Sequence, residues 1–188
     1  MPAHACDNVR CEMKTTAAGQ RICIIGPAGA GKTTLAERLA RQRELPYIGN
    51  DAIVWRANWA SAAEDEAYSD VDRATLGDQW VFDGNLVVES RADMLVLNRC
   101  DTIIWLDYPR RVVHWRLLRR TFLRVLTREH LWHNNQESWR KSLGPQSIIW
   151  LSIKNFAKAR RGYNAMFSDS RFSGKQRIRL QDQHEMDD

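Results

Sequence analysis

Apolar residues in this chain fall into short unbroken runs separated by longer stretches of helical period. Ile22-Cys23-Ile24-Ile25 marks a strand over roughly Arg21–Ile25, followed by a helix over roughly Lys32–Arg43. Pro46-Tyr47-Ile48 is a short strand candidate that runs into Gly49-Asn50-Asp51. Residues 62–79 are polar with helical period. Trp80-Val81-Phe82-Asp83 and Thr102-Ile103-Ile104-Trp105-Leu106-Asp107 are further strands, the second stopped by Pro109. Their apolar runs are continuous, as expected of parallel strands buried on both faces. Helix signals cover 110–128 and 146–167, and the alternation in Arg177-Ile178-Arg179-Leu180 suits an edge strand. Strands alternating with helices predict an α/β fold with a parallel sheet in three layers.

Composition narrows this picture little. The 188 residues suit one domain, and 44% hydrophobic with 27% charged residues is ordinary for a soluble globule. No apolar stretch reaches the roughly 18 residues of a membrane span. The first residues, with His4, Cys6, Asp7, Arg10, Cys11 and Glu12, lack the apolar centre of a signal peptide. The expectation is a cytoplasmic protein with a flexible tail over 1–20 and one folded domain over 21–188. Four cysteines make no dense disulfide framework; Cys23 reads as a small core residue. Cys6-x4-Cys11 has poor spacing for zinc, and His130 with His133 lacks a third ligand. The net charge of +5 suits an anionic ligand, a nucleotide or a nucleic acid.

The specific chemistry lies between the first strand and the first helix. Gly26-Pro27-Ala28-Gly29-Ala30-Gly31-Lys32-Thr33 fits G-x-x-x-x-G-K-[ST], the phosphate-binding P-loop. A chance match in a chain of this length arises about once in a hundred chains or less. Glycines let the backbone curl so that its N–H groups point at phosphate oxygens, and the helix that follows adds its positive end. Gly26, Gly29, Ala30, Gly31, Lys32, Thr33 and Thr34 are therefore predicted to bind ATP. Within them Lys32 would reach the β- and γ-phosphates, and the Thr33 hydroxyl would ligate Mg²⁺.

Open parallel sheets bind ligands at the carboxyl ends of their strands. The P-loop, Asp51, Asp83 and Asp107 all fall there. Asp83 is predicted to hold the magnesium or its waters. Asp51, Trp55 and Trp59 stand at i, i+4 and i+8, which would put them on one helical face. Asp51 would orient or deprotonate an acceptor hydroxyl, with the two tryptophans walling its pocket. Asp107 reads as the cap of the next helix.

Residues 110–128 contain seven arginines, of which Arg116, Arg120, Arg124 and Arg128 repeat every fourth residue as one stripe. Leu118, Phe122, Val125 and Leu126 form an apolar stripe. Phosphoryl transfer spreads negative charge over the γ-phosphoryl oxygens, so Arg116 and Arg120 are predicted to contact the nucleotide and aid catalysis. Arg160 and Arg161 make a second basic pair. The polar segment 127–145 is predicted to be a lid that closes over the triphosphate.

The P-loop, Asp51 with Trp55 and Trp59, the Trp80–Asn85 segment and the Cys100–Arg110 segment together resemble the adenylate-kinase-related P-loop proteins of bacteria. Many of those are labelled topology modulation proteins. Glu129–Asn135 and Arg160-Arg161 before Tyr163 resemble one branch of that group. The likeness covers about residues 21–181. It implies a nucleoside-monophosphate-kinase-like fold using ATP and Mg²⁺, with Lys32, Thr33, Asp83, Arg116 and Arg120 in the matching roles. Adenylate kinases place Pro-Arg shortly after the Asp-Gly pair, whereas this chain has Asp83-Gly84-Asn85-Leu86-Val87 and its next arginine is Arg91. That departure argues against AMP as acceptor.

Two functions follow as expectations. The favoured one is an ATP–Mg²⁺-dependent phosphotransferase on a small molecule, whether nucleotide, nucleoside or hydroxylated metabolite. The alternative is a nucleotide-binding regulator or weak ATPase that acts on nucleic acid, although recognisable DNA-binding motifs are missing.

Overall fold

The structure is a computed structural model and describes residues 19–86, 90–127, 129–135 and 147–182. Five strands form one sheet: β1 (Arg21–Ile25), β2 (Tyr47–Gly49), β3 (Trp80–Gly84), β4 (Thr102–Leu106) and β5 (Gln176–Leu180). Their order across the sheet is β2-β3-β1-β4-β5, and every neighbouring pair is parallel. The P-loop strand β1 is thus central, and the strand predicted at an edge, β5, is at one. Among the described residues the helices are α1 (Lys32–Arg43), α2 (Asn50–Val54), α3 (Glu64–Ala74), α4 (Arg91–Arg99), α5 (Arg110–Thr127) and α6 (Ile148–Ser168).

The continuous apolar runs are explained by two cores, one on each face of the sheet. Ile22, Ile24, Val81, Ile104 and Leu106 join Leu35, Ala36 and Leu39 of α1 and Val113 of α5. The alternate positions Cys23, Ile25, Phe82, Ile103 and Trp105 join Val71 of α3 and Val96 and Leu97 of α4. Each aliphatic side chain buried fully in these layers contributes roughly 1.5–3 kcal/mol. Helix α6 serves both cores, through Phe156 in the first and Tyr163 and Met166 in the second. Cys23 and Cys100 are buried, and burial pushes the Cys100 thiol up to about 12 and raises Cys23 well above its ordinary value. Both stay protonated and inert at neutral pH.

Three sequence expectations change. The helical stretch 62–79 forms a helix only over Glu64–Ala74. Its acidic residues Glu64, Asp65 and Glu66 sit in the first turn, where the helix dipole favours them. Helix α4 was not anticipated; Ser90 caps it by accepting from the Asp93 N–H at 3.3 Å. On α5 the buried seam is Val113, Leu117, Thr121 and Val125, a strict every-fourth-residue row. Of the predicted apolar stripe only Val125 lies in it; Leu118, Phe122 and Leu126 are exposed. The arginines Arg116, Arg120 and Arg124 flank the seam and are half-buried.

Candidate active site

The P-loop runs from the end of β1 into α1. Its turn is closed by the Ala30 N–H donating to the Pro27 carbonyl at 3.1 Å. Gly29 has φ +88°, and a Cβ there would lie 2.6 Å from the Val113 carbonyl and 2.9 Å from the Leu117 Cβ. No larger residue fits, because the loop is pressed against α5. Gly31, at φ +96°, precedes the first residue of α1 in a left-handed conformation that side chains resist. Thr33 and Thr34 follow in the first turn and are exposed, whereas Ala30 is buried. The Gly26 carbonyl accepts from the Tyr163 hydroxyl at 3.4 Å.

Lys32 Nζ donates to the Pro27 carbonyl at 3.2 Å and to Asn85 Oδ1 at 2.7 Å. Desolvation chiefly, with a smaller push from Arg120, brings the Lys32 pKa down to about 8 against the opposing pull of Asp83 and Asp51. Asp51 shows the reverse. Its side chain keeps solvent access, yet desolvation raises its pKa and Asp83 adds to the rise, while Lys32, Arg120 and Arg124 counter it. Lys32, Asp51, Asp83 and Arg120 therefore form one electrostatic group, as groups meeting at a shared site do. Asn85 was not among the predicted site residues, although it directly follows Asp83-Gly84.

Asp83 is the next-to-last residue of β3 and is nearly fully buried. Tyr47, on the neighbouring strand β2, donates its hydroxyl to Asp83 Oδ2 at 3.0 Å. The Thr33 side chain stands close enough to the same hydroxyl to work against a rise in its pKa. Burial raises the Tyr47 pKa, and the adjoining Asp83 carboxylate raises it further. Thr33 and Asp83, the two predicted magnesium residues, are thus brought within reach of a single oxygen. Hydroxyl and carboxylate oxygens are the hard donors that Mg²⁺ takes. Among the described residues no three His, Cys, Asp or Glu side chains form a metal-holding group. This sparse set fits Mg²⁺, which keeps most of its ligands as water and substrate phosphates.

Arg116 meets the P-loop directly, donating from Nη1 to the Ala30 carbonyl at 3.1 Å with its guanidinium over the Tyr108 ring. Arg120 is close enough to act on both Lys32 and Asp51. Arg124 pairs with Glu129 at 3.5 Å, and Arg128 lies outside the described residues. Asp107 does not cap α5. Its buried carboxylate accepts a two-pronged pair from Arg160 of α6 (2.6 and 2.9 Å) and further bonds from Arg179 of β5 and from Gln181. Burial works to raise its pKa, but the two arginines outweigh it and hold the carboxyl below its ordinary value. A carboxylate taken out of water needs compensating charge more than a helix end needs a cap. Arg160 is thereby committed to Asp107, and Arg161 is exposed.

Asp51, Trp55 and Trp59 do not share a helical face. Helix α2 stops at Val54, and the chain then folds into a small hairpin. Trp55 bridges Ser61, and the Arg56 N–H donates to the Ala60 carbonyl at 2.8 Å. Asn58 and Trp59 at its tip both have φ of 60°. The hairpin still brings the tryptophans together, edge to face with centroids 5.8 Å apart. A second turn faces it, with His133 at φ 52° and Asn134 at φ 64°. Asn135 joins the two. Its side chain accepts from the Trp59 N–H at 3.0 Å and donates to the Arg56 carbonyl at 2.8 Å. His133 Nε2 also meets the Ala52 carbonyl at 3.3 Å. Residues outside glycine rarely hold positive φ, and such strain concentrates at functional sites. The predicted lid, 127–145, is described only to Asn135.

No protein-family model matches this chain, and no curated protein matches it in sequence. Solved structures do share its fold. A gluconokinase from Sinorhizobium meliloti 1021 is 14% identical with a TM-score of 0.50, over 87% of this chain and 82% of that one. A shikimate kinase from Bacteroides thetaiotaomicron is 16% identical with a TM-score of 0.51, over 88% and 91%. A shikimate kinase from Acinetobacter baumannii, in complex with shikimate, is 17% identical with a TM-score of 0.50, over 94% and 91%. The sheet and its flanking helices are those of the small-molecule P-loop kinases. Among the described residues no helix is long and apolar enough to cross a membrane.

Proposed function

We propose that this protein is an ATP–Mg²⁺-dependent phosphotransferase acting on the hydroxyl of a small molecule. The observation that carries this reading is the convergence at the carboxyl ends of β1, β2 and β3 of the P-loop, whose Lys32 donates to Asn85 at 2.7 Å, of Asp51, and of the buried Asp83, bonded to Tyr47 at 3.0 Å. A binding-only site has no need of a second carboxylate beside the P-loop lysine. The kinase fold supports the reading at the level of architecture, and the likeness to topology modulation proteins belongs with it as analogy.

When bound, ATP with Mg²⁺ supplies the phosphoryl group and a cation among its phosphates. The loop Gly26–Thr34 presents backbone N–H groups to the phosphates, and Lys32 neutralises them. Thr33 and Asp83 would hold the Mg²⁺. Asp51 accepts the proton of the acceptor hydroxyl. The acceptor oxygen then bonds to the γ-phosphorus as the bond to the β,γ-bridging oxygen breaks, and that electron pair leaves with ADP. Arg116 and Arg120 stabilise the charge that spreads during transfer; such arginines can contribute ~10³–10⁵ in rate.

The test is Mg²⁺-dependent ATP consumption across nucleosides, nucleotides and hydroxylated metabolites, with Lys32→Ala as control. A compound that is itself phosphorylated establishes the reading. Asp51→Asn is then expected to lower turnover about 10²–10⁴-fold with ATP affinity retained. Bound ATP whose consumption no compound accelerates would overturn the transferase reading in favour of a nucleotide-binding regulator.

A further inference from the structure

Helix α5 has two working faces. Inward, its seam packs into the core, and Arg116 donates to the Ala30 carbonyl of the P-loop at 3.1 Å. Outward, Trp115, Leu118, Phe122 and Leu126 recur at intervals of three and four residues and form one row, about 16 Å long at ~1.5 Å per residue. Trp115 is 68% exposed and Leu126 63%, and Leu118 and Phe122 are exposed as well. Apolar residues scattered singly on a surface need no explanation, but a contiguous row marks an interaction site. Helix α6 repeats the pattern. It begins with exposed Trp150 and Leu151, and it meets α5 where the His114 and Phe156 rings lie 5.4 Å apart.

The charge of the two helices points to the partner. Together they hold ten of the chain's 28 basic residues and none of its 23 acidic ones, so the rest of the chain is net −5. Arg111 and Arg119 are exposed on the outward face itself, four residues to either side of Trp115. A face that is apolar, with charged residues of positive sign alone, fits a partner that is both apolar and anionic.

A nucleic acid would stack its bases on Trp115 and Phe122 but gain little from the exposed Leu118, Leu123 and Leu126. A second copy of this chain, seated symmetrically, would bring Arg111 and Arg119 against their own counterparts, with no carboxylate on either helix to relieve them. A bilayer with anionic head groups answers both parts of the face. Tryptophan and leucine enter the boundary of the acyl chains, and arginine stems carry their charge up to the head groups.

We propose that α5 docks this protein on the surface of a bilayer carrying anionic lipids, with Trp115, Leu118, Phe122 and Leu126 at the acyl boundary and Arg111 and Arg119 at the head groups. The helix lies on the surface and does not span it, in keeping with its length and charge. Arg116 stays turned to the P-loop, so docking is independent of the catalytic reading above.

The experiment sediments the full chain, without nucleotide, with vesicles of phosphatidylcholine containing about one quarter phosphatidylserine, and with vesicles of phosphatidylcholine alone. Binding to the anionic vesicles is expected to be at least about tenfold tighter and to weaken with added salt. Trp115→Ser with Leu126→Ser should weaken it at least about thirtyfold. Arg111→Gln with Arg119→Gln should weaken it about fivefold per arginine and flatten the salt dependence. Both variants alter exposed residues, and thermal melts that match the unsubstituted protein keep the comparison between folded chains. Equal binding to the two kinds of vesicle, or to neither, overturns the proposal. So does anionic-vesicle binding that the Trp115→Ser, Leu126→Ser variant retains. Two further results reassign the face and overturn the proposal equally: displacement from the vesicles by an oligonucleotide whose own binding the same variant loses, and a dimer in sedimentation velocity that the same variant dissolves.

Discussion

The hydroxyl of Tyr47 donates to Asp83 Oδ2 at 3.0 Å, across the β2–β3 boundary. It holds in place the carboxylate proposed to share the cation with Thr33. Tyr47→Phe removes this hydrogen bond and leaves the ring in place. The Mg²⁺ concentration for half-maximal ATP turnover is expected to rise about tenfold, the low end for losing a partner of a metal ligand. The turnover number at saturating Mg²⁺ should hold. A magnesium titration of both proteins checks this, and equal half-saturation points would show Asp83 to be placed by other means.

ATP binding should weaken as the solution becomes alkaline. Desolvation sets the Lys32 pKa at about 8 in the free protein, against an ordinary value of 10.5. The ammonium is present below about 8 and is lost as pH rises through it. Triphosphate charge draws the proton back, so affinity for an ATP analogue should be flat at pH 6–7 and decline above about 8. Lys32→Arg keeps its charge throughout. Its binding, weaker at neutral pH because the guanidinium is bulkier, should show no decline over that range. Dissociation constants measured across pH 6–10 provide the check.

Asn135 should matter to the acceptor more than to ATP. It is buried and bonds both ways into the hairpin that carries Trp59. Asn135→Ala leaves the Arg56 carbonyl and the Trp59 N–H without that partner, at a cost of about 1–3 kcal/mol. The acceptor KM is expected to rise several-fold while ATP affinity stays level. Steady-state kinetics with each substrate varied in turn separates the two effects.

Much of the candidate site is legible along the chain because the residues proposed for it are close together in sequence or lie at the end of a strand. The P-loop is eight consecutive residues, and Asp83 stands next to last in a strand whose apolar run announces it. Tyr47, Asn85 and Asn135 could not be read this way. Their bonds join residues 36, 53 and 76 positions apart, and no spacing rule reaches so far. Trp55 and Trp59 illustrate the opposite error. Helical spacing brought them together for the wrong reason, since the left-handed pair Asn58 and Trp59 turns the chain back as a hairpin. The α5 seam was displaced by about one residue because its buried position 121 is a threonine, which a search for apolar rows passes over.

The Asp107 cluster should respond non-additively. Its carboxylate is 2% exposed, and its two arginines are 51% and 35% exposed. Arg160→Ala or Arg179→Ala leaves one cation and should cost about 1 kcal/mol. Removing both strands a buried carboxylate, at about 3–5 kcal/mol. Because folding holds this carboxyl below its ordinary pKa, its contribution is full above pH ~4 and fades as pH falls further. Denaturant melts of the two singles and the double, at pH 7 and at pH 3, give the coupling directly.

The same cluster sets an order of assembly during synthesis. Asp107 follows β4, but the cations that accept it wait for α6 and β5, and Arg179 is 72 residues downstream. A ribosome-bound chain that has emerged only through α5 already contains the P-loop, Asp51, Asp83, Arg116 and Arg120. It nonetheless holds an uncompensated carboxylate just after β4 and an open flank on that strand. The nascent protein therefore carries the residues proposed to bind the nucleotide before it has the cations that compensate Asp107 or the strand that covers β4.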